Sequence, residues 1–193
     1  MNYHFFAMMS RMKYIERWSL MRNSVNENIS EHSLEVAMIT HALAVISNVR
    51  MGNSLNVEKA ALIGMYHDCT EIITGDLPTP VKYHNTQLQE AFLQMEELAA
   101  NRLLDLLPAD MKGAYESVFF QAEEDEYLWK LKKAADKLSA LVKCIEERKA
   151  GNSEFAKAEK ALWQAVSDMH LREAEIFIEL FLPSYSLTLD ELS

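Results

Sequence analysis

Three side chains capable of acid–base or metal chemistry fall close together in an otherwise apolar segment, residues 62–71. His67 and Asp68 are adjacent, and Glu71 follows the histidine by four residues and the aspartate by three. On a helix, adjacent residues point about 100° apart and residues three or four apart share a face, so these groups can converge within one turn. The spacing predicts a metal or acid–base site; the alternative is a partly exposed helix end with an ordinary His67–Glu71 pair.

Two further residues could complete a site of two imidazoles and two carboxylates. Burying an unpaired charge is costly, and a divalent cation is one partner that satisfies His67 and Asp68 together. His32 lies near a predicted helix start, with access to solvent, whereas His41 falls in an apolar stripe and is predicted to be a core histidine. Asp136 has two open interpretations, a ligand or a solvated aspartate among three lysines.

The elements that carry these residues are predicted to be helices throughout, in an all-α fold. Only five glycines and four prolines occur, and apolar residues recur at helical spacing. Asn28 or Ser30 can cap the helix that carries His32. Further helices are predicted over about 56–74, 85–107, 123–150 and 153–182, after a first helix that includes Trp18. Gly64, inside the predicted helix 56–74, is predicted to mark close helix packing.

Length, charge and cysteine content limit the class of protein. The 193 residues fit one domain, taken here as 1–193, and about half of them are hydrophobic. The formal net charge of −10 argues against a nucleic-acid polymer as partner, because phosphate backbones are bound by clustered Lys and Arg. Inspection of the sequence finds no apolar run of the ~20 residues that a membrane helix needs. Two cysteines without ligand-like spacing predict a cytoplasmic protein with reduced thiols.

The order of an early His, an adjacent His-Asp pair and a distant Asp resembles the HD superfamily of metal-dependent phosphohydrolases. Within it, the chain is similar to the bacterial HD-domain 5′-deoxynucleotidases. The similarity runs nearly end to end and is carried by seven blocks, at residues 7–13, 17–22, 30–34, 65–68, 74–82, 135–140 and 183–191. The His-Asp pair alone is a weak motif, whereas these blocks in this order are highly specific.

The resemblance implies a compact HD-domain helical bundle that hydrolyses deoxyribonucleoside 5′-monophosphates to deoxynucleoside and phosphate. It further implies little preference among bases, rejection of ribonucleotides, a homodimer in the cytoplasm, and no membrane partner. One divalent transition metal ion, cobalt, manganese or similar, would be held by His32, His67, Asp68 and Asp136. A mixed N/O set of this kind suits such metals better than magnesium.

The resemblance also implies roles around the metal. Glu71 is expected to orient or deprotonate the attacking water, and Asp76 to assist proton transfer or bind the sugar. Arg17 is expected to hold the phosphate, since its guanidinium fork fits phosphate geometry. Trp18 is expected to crowd the 2′ position; core packing is the alternative. The expected substrate contacts are Arg17, Trp18, Asp68, Asp76, Leu77, Pro78, Thr79 and Asp136.

Two other functions remain open at the level of sequence. Another HD phosphohydrolase could act on a deoxynucleoside triphosphate or a cyclic nucleotide, although this short acidic chain lacks extra basic elements. A catalytically silent helical module could instead bind a nucleotide or a partner. The complete four-ligand set and Glu71 argue against the silent module.

Overall fold

The fold is a helical bundle, as the sequence predicts. A computed structural model describes residues 2–82 and 85–192. Within these ranges there is no strand, and the only β-type pairing is an isolated bridge between Glu16 and Asn28. The helices are α1 (Phe5–Met9), α2 (Ile29–Met51), α3 (Val57–Tyr66), α4 (Glu71–Thr74), α5 (Thr79–Lys82), α6 (Thr86–Leu104), α7 (Lys112–Phe119), α8 (Glu126–Lys149), α9 (Ala156–Ser167) and α10 (Arg172–Leu180).

Helix α2 is the central element, and it packs against α3, α8 and α10. Its start is fixed by Asn28, whose side chain accepts hydrogen bonds from the backbone of Ser30 and Glu31. Glu31 returns a bond to the backbone of Asn28, which completes a capping box. The helix ends at Gly52, whose φ of 75° is a left-handed conformation that glycine adopts without strain. The cap that the sequence predicts at Asn28 is therefore confirmed.

Helix α2 is also long and apolar enough to meet a minimal criterion for a membrane span, which inspection of the sequence did not reveal. It has 23 residues, and an 18-residue window within it has a mean hydropathy of 1.2. Its buried residues include the polar His32, Ser33, Thr40 and Ser47, and three helices cover it. A central core helix passes the same test of length and composition, so the hydropathy of α2 agrees with its place in the bundle.

Two predicted helices are each divided in the structure. The segment 56–74 forms α3 and α4, separated by a turn in which the N–H of Cys69 donates to Tyr66 O and the N–H of Glu71 to Asp68 O. His67 and Asp68 thus lie in a helix-ending turn rather than inside a helix. The segment 153–182 breaks between α9 and α10, where His170 has a φ of 49°. Neither a hydrogen bond to the residue three positions earlier nor a left-handed residue changes the spacing of apolar residues. The two helix breaks could therefore not be predicted from that spacing.

Three predictions about individual residues are wrong. His32, predicted to have access to solvent, is fully buried, because its ring lies between Asp68 in the turn after α3 and Ser139 on α8. His41 is exposed, because the stripe that contains it, with Leu34 and Met38, faces solvent. The buried side of α2 instead carries small and polar residues among its aliphatic ones, so both sides of the helix look alike in sequence. Trp18 is in the loop before α2 rather than in a helix. The two cysteines are free and buried.

Gly64 marks a close approach of α3 to α2, as predicted. A Cβ at this position would lie 2.7 Å from the Cα and 2.9 Å from the backbone N of Ala37. Because the obstruction is backbone, a side chain can be accommodated only by moving the helices apart. That movement would shift the turn that follows α3 and carries His67.

We expect Gly64→Ala to lower the free energy of unfolding by about 1–3 kcal/mol, the usual cost of overpacking. Gly113→Ala is the matched control, since a Cβ at Gly113 would meet nothing within 4 Å. Gly113 lies inside α7, so alanine should leave stability unchanged or raise it by up to about 1 kcal/mol. Urea denaturation measures both, and equal stabilities would contradict the close approach.

Candidate metal centre

The four predicted metal ligands come from three places in the chain that the bundle brings together. His32 lies in the first turn of α2, His67 and Asp68 lie in the turn after α3, and Asp136 lies midway along α8. Because α2 packs against both α3 and α8, these residues meet near the N-terminal end of α2. Asp136 contacts His32 across 104 positions of sequence, which places it beside the other candidate ligands.

The donor atoms face one another at short range. Nε2 of His32 lies 3.1 Å from Oδ1 of Asp136 and 3.6 Å from Oδ2 of Asp68. Nε2 of His67 lies 3.0 Å from Oδ2 of Asp68. One donor atom from each of His32, His67 and Asp68 lies within 4.8 Å of the others. Asp136 joins this group through His32.

The hydrogen bonds of His67 leave one ring nitrogen available for a metal. Nδ1 donates to the carbonyl oxygen of Gly64 at 2.7 Å, which puts the proton of the neutral ring on Nδ1. Nε2 then carries a lone pair; although it is close to Asp68, it is buried and makes no hydrogen bond. A buried acceptor facing carboxylates is the arrangement that a cation satisfies, so these residues fit a divalent metal.

The charge states also suit metal binding. Burial, and then the charge of Arg17, lower the pKa of His32, which keeps its imidazole neutral at neutral pH. Burial raises the pKa of Asp68, but the neighbouring His67, His32 and Arg17 outweigh burial and hold it below its usual range. Neutral imidazole and ionised carboxylate are the forms that bind metals.

Glu71 lies at the first position of α4, beside the four candidate ligands. It is buried, and burial together with repulsion from Asp68 raises its pKa to about 8. Its Oε1 accepts a hydrogen bond from Nζ of Lys82 at 3.1 Å, whereas Oε2 is buried and makes no hydrogen bond. Lys82 also lies 3.9 Å from Glu96. Lys82 therefore holds one oxygen of Glu71, and the other oxygen is available to hold a proton.

Four of the predicted substrate residues lie in the segment from the end of α4 to the first residue of α5. Asp76 is half-buried; burial raises its pKa, and the charges of Arg17 and Lys82 oppose that rise. Leu77 and Pro78 are half-buried, and the carbonyl of Pro78 accepts the N–H of Lys82 in the short helix α5. Thr79 is the first residue of α5, and its side chain lies outside the described structure.

Arg17 and Trp18 are held by one residue that the sequence did not single out, Glu27. Its Oε2 accepts hydrogen bonds from Nη1 of Arg17 at 2.6 Å and from Nε1 of Trp18 at 3.2 Å. Trp18 has a φ of 56°, a strained conformation for a bulky residue, and its ring lies 5.3 Å from that of Phe155. The charge of Arg17 reaches Asp136, Asp68 and Asp76. This Arg17–Trp18 turn thus borders the candidate metal centre.

A buried carboxylate anchors the loop that follows this turn. Glu147 accepts the backbone N–H groups of Ser24 and Val25, the side-chain amide of Asn152 and Nζ of Lys143. Burial raises the pKa of Glu147, but these donors outweigh burial and lower it to about 2. The loop is consequently fixed to α8, the helix that carries Asp136.

Two residues behind the imidazole of His32 were also missed by the sequence reasoning. Ser139 Oγ lies 3.0 Å from Nδ1 of His32 and donates to Oε2 of Glu35. The available signal is spacing: Glu35 follows His32 by three residues, and Ser139 follows Asp136 by three. Residues three apart share a helix face, so Glu35 lies beside His32 on α2 and Ser139 lies beside Asp136 on α8.

The chain matches a family model described as 5′-deoxynucleotidase YfbR-like over residues 4–185. A 5′-deoxynucleotidase from Erwinia tasmaniensis is 46% identical over 190 residues, covering 98% of this chain and 96% of the relative. A 5′-deoxynucleotidase from Vibrio cholerae is also 46% identical, with 98% of each chain covered. These matches span nearly the whole of each chain, and their sequence identity is high enough to establish membership of one family.

Solved structures show the same fold at low identity. An HD-domain phosphohydrolase from Listeria innocua superposes with a TM-score of 0.81 at 22% identity, covering 94% of this chain and 88% of that one. The cyanophage S-2L HD phosphohydrolase DatZ, bound to dA and one catalytic Zn²⁺ ion, has a TM-score of 0.66 at 19% identity, covering 94% and 96%. With the family match and the full-length relatives, the chain is an enzyme that belongs to the YfbR-like 5′-deoxynucleotidase family of HD-domain phosphohydrolases.

Proposed function

We propose that this enzyme hydrolyses deoxyribonucleoside 5′-monophosphates to deoxynucleoside and phosphate, with little preference among bases and with rejection of ribonucleotides. Residues 1–193 act as one catalytic domain. The observation that carries the proposal is the convergence of His32, His67, Asp68 and Asp136, with Glu71 buried at their edge. The activity named for the relatives from Erwinia and Vibrio supports the substrate class.

The cofactor in this proposal is one divalent transition metal, such as cobalt or manganese, held by His32, His67, Asp68 and Asp136. Such a metal acidifies a bound water and offsets charge on phosphoryl oxygens. Two nitrogen and two oxygen donors suit a borderline transition metal rather than a thiolate-loving ion. The Zn²⁺ named for the similar cyanophage enzyme supports a metal of this class.

Arg17 binds the phosphate of the substrate in this mechanism. A guanidinium has five N–H donors, and the one hydrogen bond from Nη1 to Glu27 leaves others for phosphate oxygens. Glu71 orients or deprotonates the attacking water through Oε2, while Lys82 holds Oε1. Asp76, within electrostatic reach of Arg17, gives a proton to the leaving 5′-oxygen or binds the sugar.

Trp18 selects the deoxyribose. Its hydrogen bond to Glu27 and its contact with Phe155 keep the indole in one orientation, so the ring cannot easily withdraw from an added 2′-hydroxyl. The backbone of Leu77, Pro78 and Thr79 borders the sugar and phosphate. Asp68 and Asp136 contact the phosphate side of the substrate as well as the metal.

A metal screen crossed with substrates tests the whole proposal. Metal-free enzyme is supplied with cobalt, manganese, zinc or magnesium, and phosphate release is measured with deoxy- and ribonucleoside monophosphates. We expect metal-dependent release from all the deoxynucleotides. A deoxynucleoside triphosphate and a cyclic nucleotide are assayed in parallel. Release of triphosphate from the first or opening of the second, without phosphate release from the monophosphates, would identify the other type of HD phosphohydrolase, and no turnover with any metal would favour the silent module.

We expect Glu71→Gln to lower turnover by about 10²- to 10⁴-fold, because an amide cannot take the proton of the attacking water. Metal content, measured by elemental analysis, should stay at the wild-type level. Glu96→Gln is the matched control, since Glu96 also lies near Lys82. Wild-type turnover in Glu71→Gln would remove Glu71 from the mechanism.

Trp18→Ala should raise kcat/KM for ribonucleoside monophosphates by about 10- to 100-fold, because relieving one steric contact has effects of that size. Activity on deoxynucleotides should change less. The control is Trp163→Ala, a partly exposed tryptophan of α9. If Trp18→Ala gains no ribonucleotide activity, the indole serves packing against Phe155 alone.

The enzyme is proposed to be a cytoplasmic homodimer, with neither a membrane nor a nucleic-acid polymer as partner. The outer face of α2 supports self-association: Leu34, Met38 and Val49 are 55%, 59% and 72% exposed. Exposed apolar side chains aligned along one helix are typical of interaction surfaces. A second copy of the chain is the proposed occupant of this face.

Met38→Asp should convert the dimer to a monomer at micromolar concentration, because a dimer would bury the added carboxylate without a partner. Leu98→Asp is the control, since Leu98 is 71% exposed on α6. Light scattering coupled to gel filtration measures both. A monomeric wild-type enzyme, or dissociation by Leu98→Asp alone, would contradict the α2 interface.

A further inference from the structure

We propose that Ser139 and Glu35 are positioning residues that fix the tautomer of His32 and thereby determine the affinity of the enzyme for its divalent metal. This inference rests on the proposed metal site. It assigns to the two residues behind His32 a role separate from contact with the substrate.

The direction of each hydrogen bond follows from counting protons. Ser139 has one hydroxyl hydrogen, and an ionised carboxylate can only accept. Ser139 therefore donates its hydrogen bond to Glu35. Ser139 Oγ must then accept from Nδ1 of His32 at 3.0 Å. His32 and Ser139 are both fully buried, which leaves water no opportunity to replace either bond.

The alternative tautomer would compete with metal binding. If the ring proton were on Nε2, it would donate to Oδ1 of Asp136 at 3.1 Å and pair the two ligands with each other. This arrangement satisfies both groups without a cation and therefore competes with the metal. The chain from Glu35 through Ser139 excludes it by keeping the proton on Nδ1.

The support is built into both helices that supply the ligands. His32 and Glu35 are three residues apart on α2, and Asp136 and Ser139 are three residues apart on α8. The crossing of α2 and α8 brings both pairs together. Burial raises the pKa of Glu35 to about 7 despite its bond to Ser139, so the test is made on the alkaline side of that value, where the carboxylate only accepts.

The first measurement is the tautomer of His32 in metal-free protein without substrate, by ¹⁵N NMR of histidine-labelled enzyme. His32→Asn assigns the signals. We expect Nδ1–H in the wild type, Nε2–H in Ser139→Ala and a mixture in Glu35→Gln, because an amide can donate as well as accept. Ser139→Thr keeps the hydroxyl and should restore Nδ1–H.

The second measurement is the dissociation constant of Co²⁺ alone. Ser139→Ala should weaken Co²⁺ binding by about 10- to 100-fold, the usual effect of losing a group that supports a metal-binding histidine. Glu35→Gln should fall between Ser139→Ala and the wild type. Glu146→Gln is the matched control, since its charge also acts on Glu35.

Two results would overturn the inference: Nε2–H in the wild type, or Co²⁺ affinities in Ser139→Ala and Glu35→Gln equal to the wild-type value. If Ser139→Ala does not fold, Glu35→Gln and Ser139→Thr decide the question. Failure of the wild type to bind Co²⁺ would refute the proposed metal site, whereas the tautomer measurement would still decide whether Ser139 and Glu35 position His32.

Discussion

The buried imidazole of His32 is the constraint on which the site depends. Both of its nitrogens face polar groups and the ring is fully buried, so each of these neighbours must supply a complementary proton or lone pair. α8 supplies Ser139 on one side and Asp136 on the other, and the turn after α3 supplies Asp68. The packing of α2 on α8 and α3 is therefore also the geometry of the site.

The balance of charge favours a cation at this position. Asp68 and Asp136 meet at His32, and Glu71 is buried nearby, in a chain that is already acidic. Arg17 and Lys82 offset part of this charge, but each is bonded to a carboxylate of its own, Glu27 and Glu71 respectively. A divalent metal with neutral imidazole ligands balances the two remaining aspartates.

The loop before α2 is held firmly beside this centre. A bulky residue in a left-handed conformation persists only where its surroundings hold it, and Trp18 is held by Glu27 and by the ring of Phe155. Glu147 fixes the following residues to α8. The same helix thus locates Asp136 and the loop that carries Arg17.

The sequence by itself determined the helical class, a cap for α2 at Asn28 or Ser30 and the close packing at Gly64, and it singled out residues able to bind a metal. These depend on residue type, on spacing along one helix and on family motifs that survive in the linear chain. Only the tertiary structure decided that Asp136 contacts His32 and that Leu34, Met38 and His41 are exposed on α2. It also showed that Trp18 lies in a loop rather than in a helix. Periodicity fixes the angle between side chains on one helix but not which neighbour covers them, and α2 is apolar on both sides. Ser139 and Glu35 acquire their partners only when α2 crosses α8, because a hydrogen bond depends on positions in space.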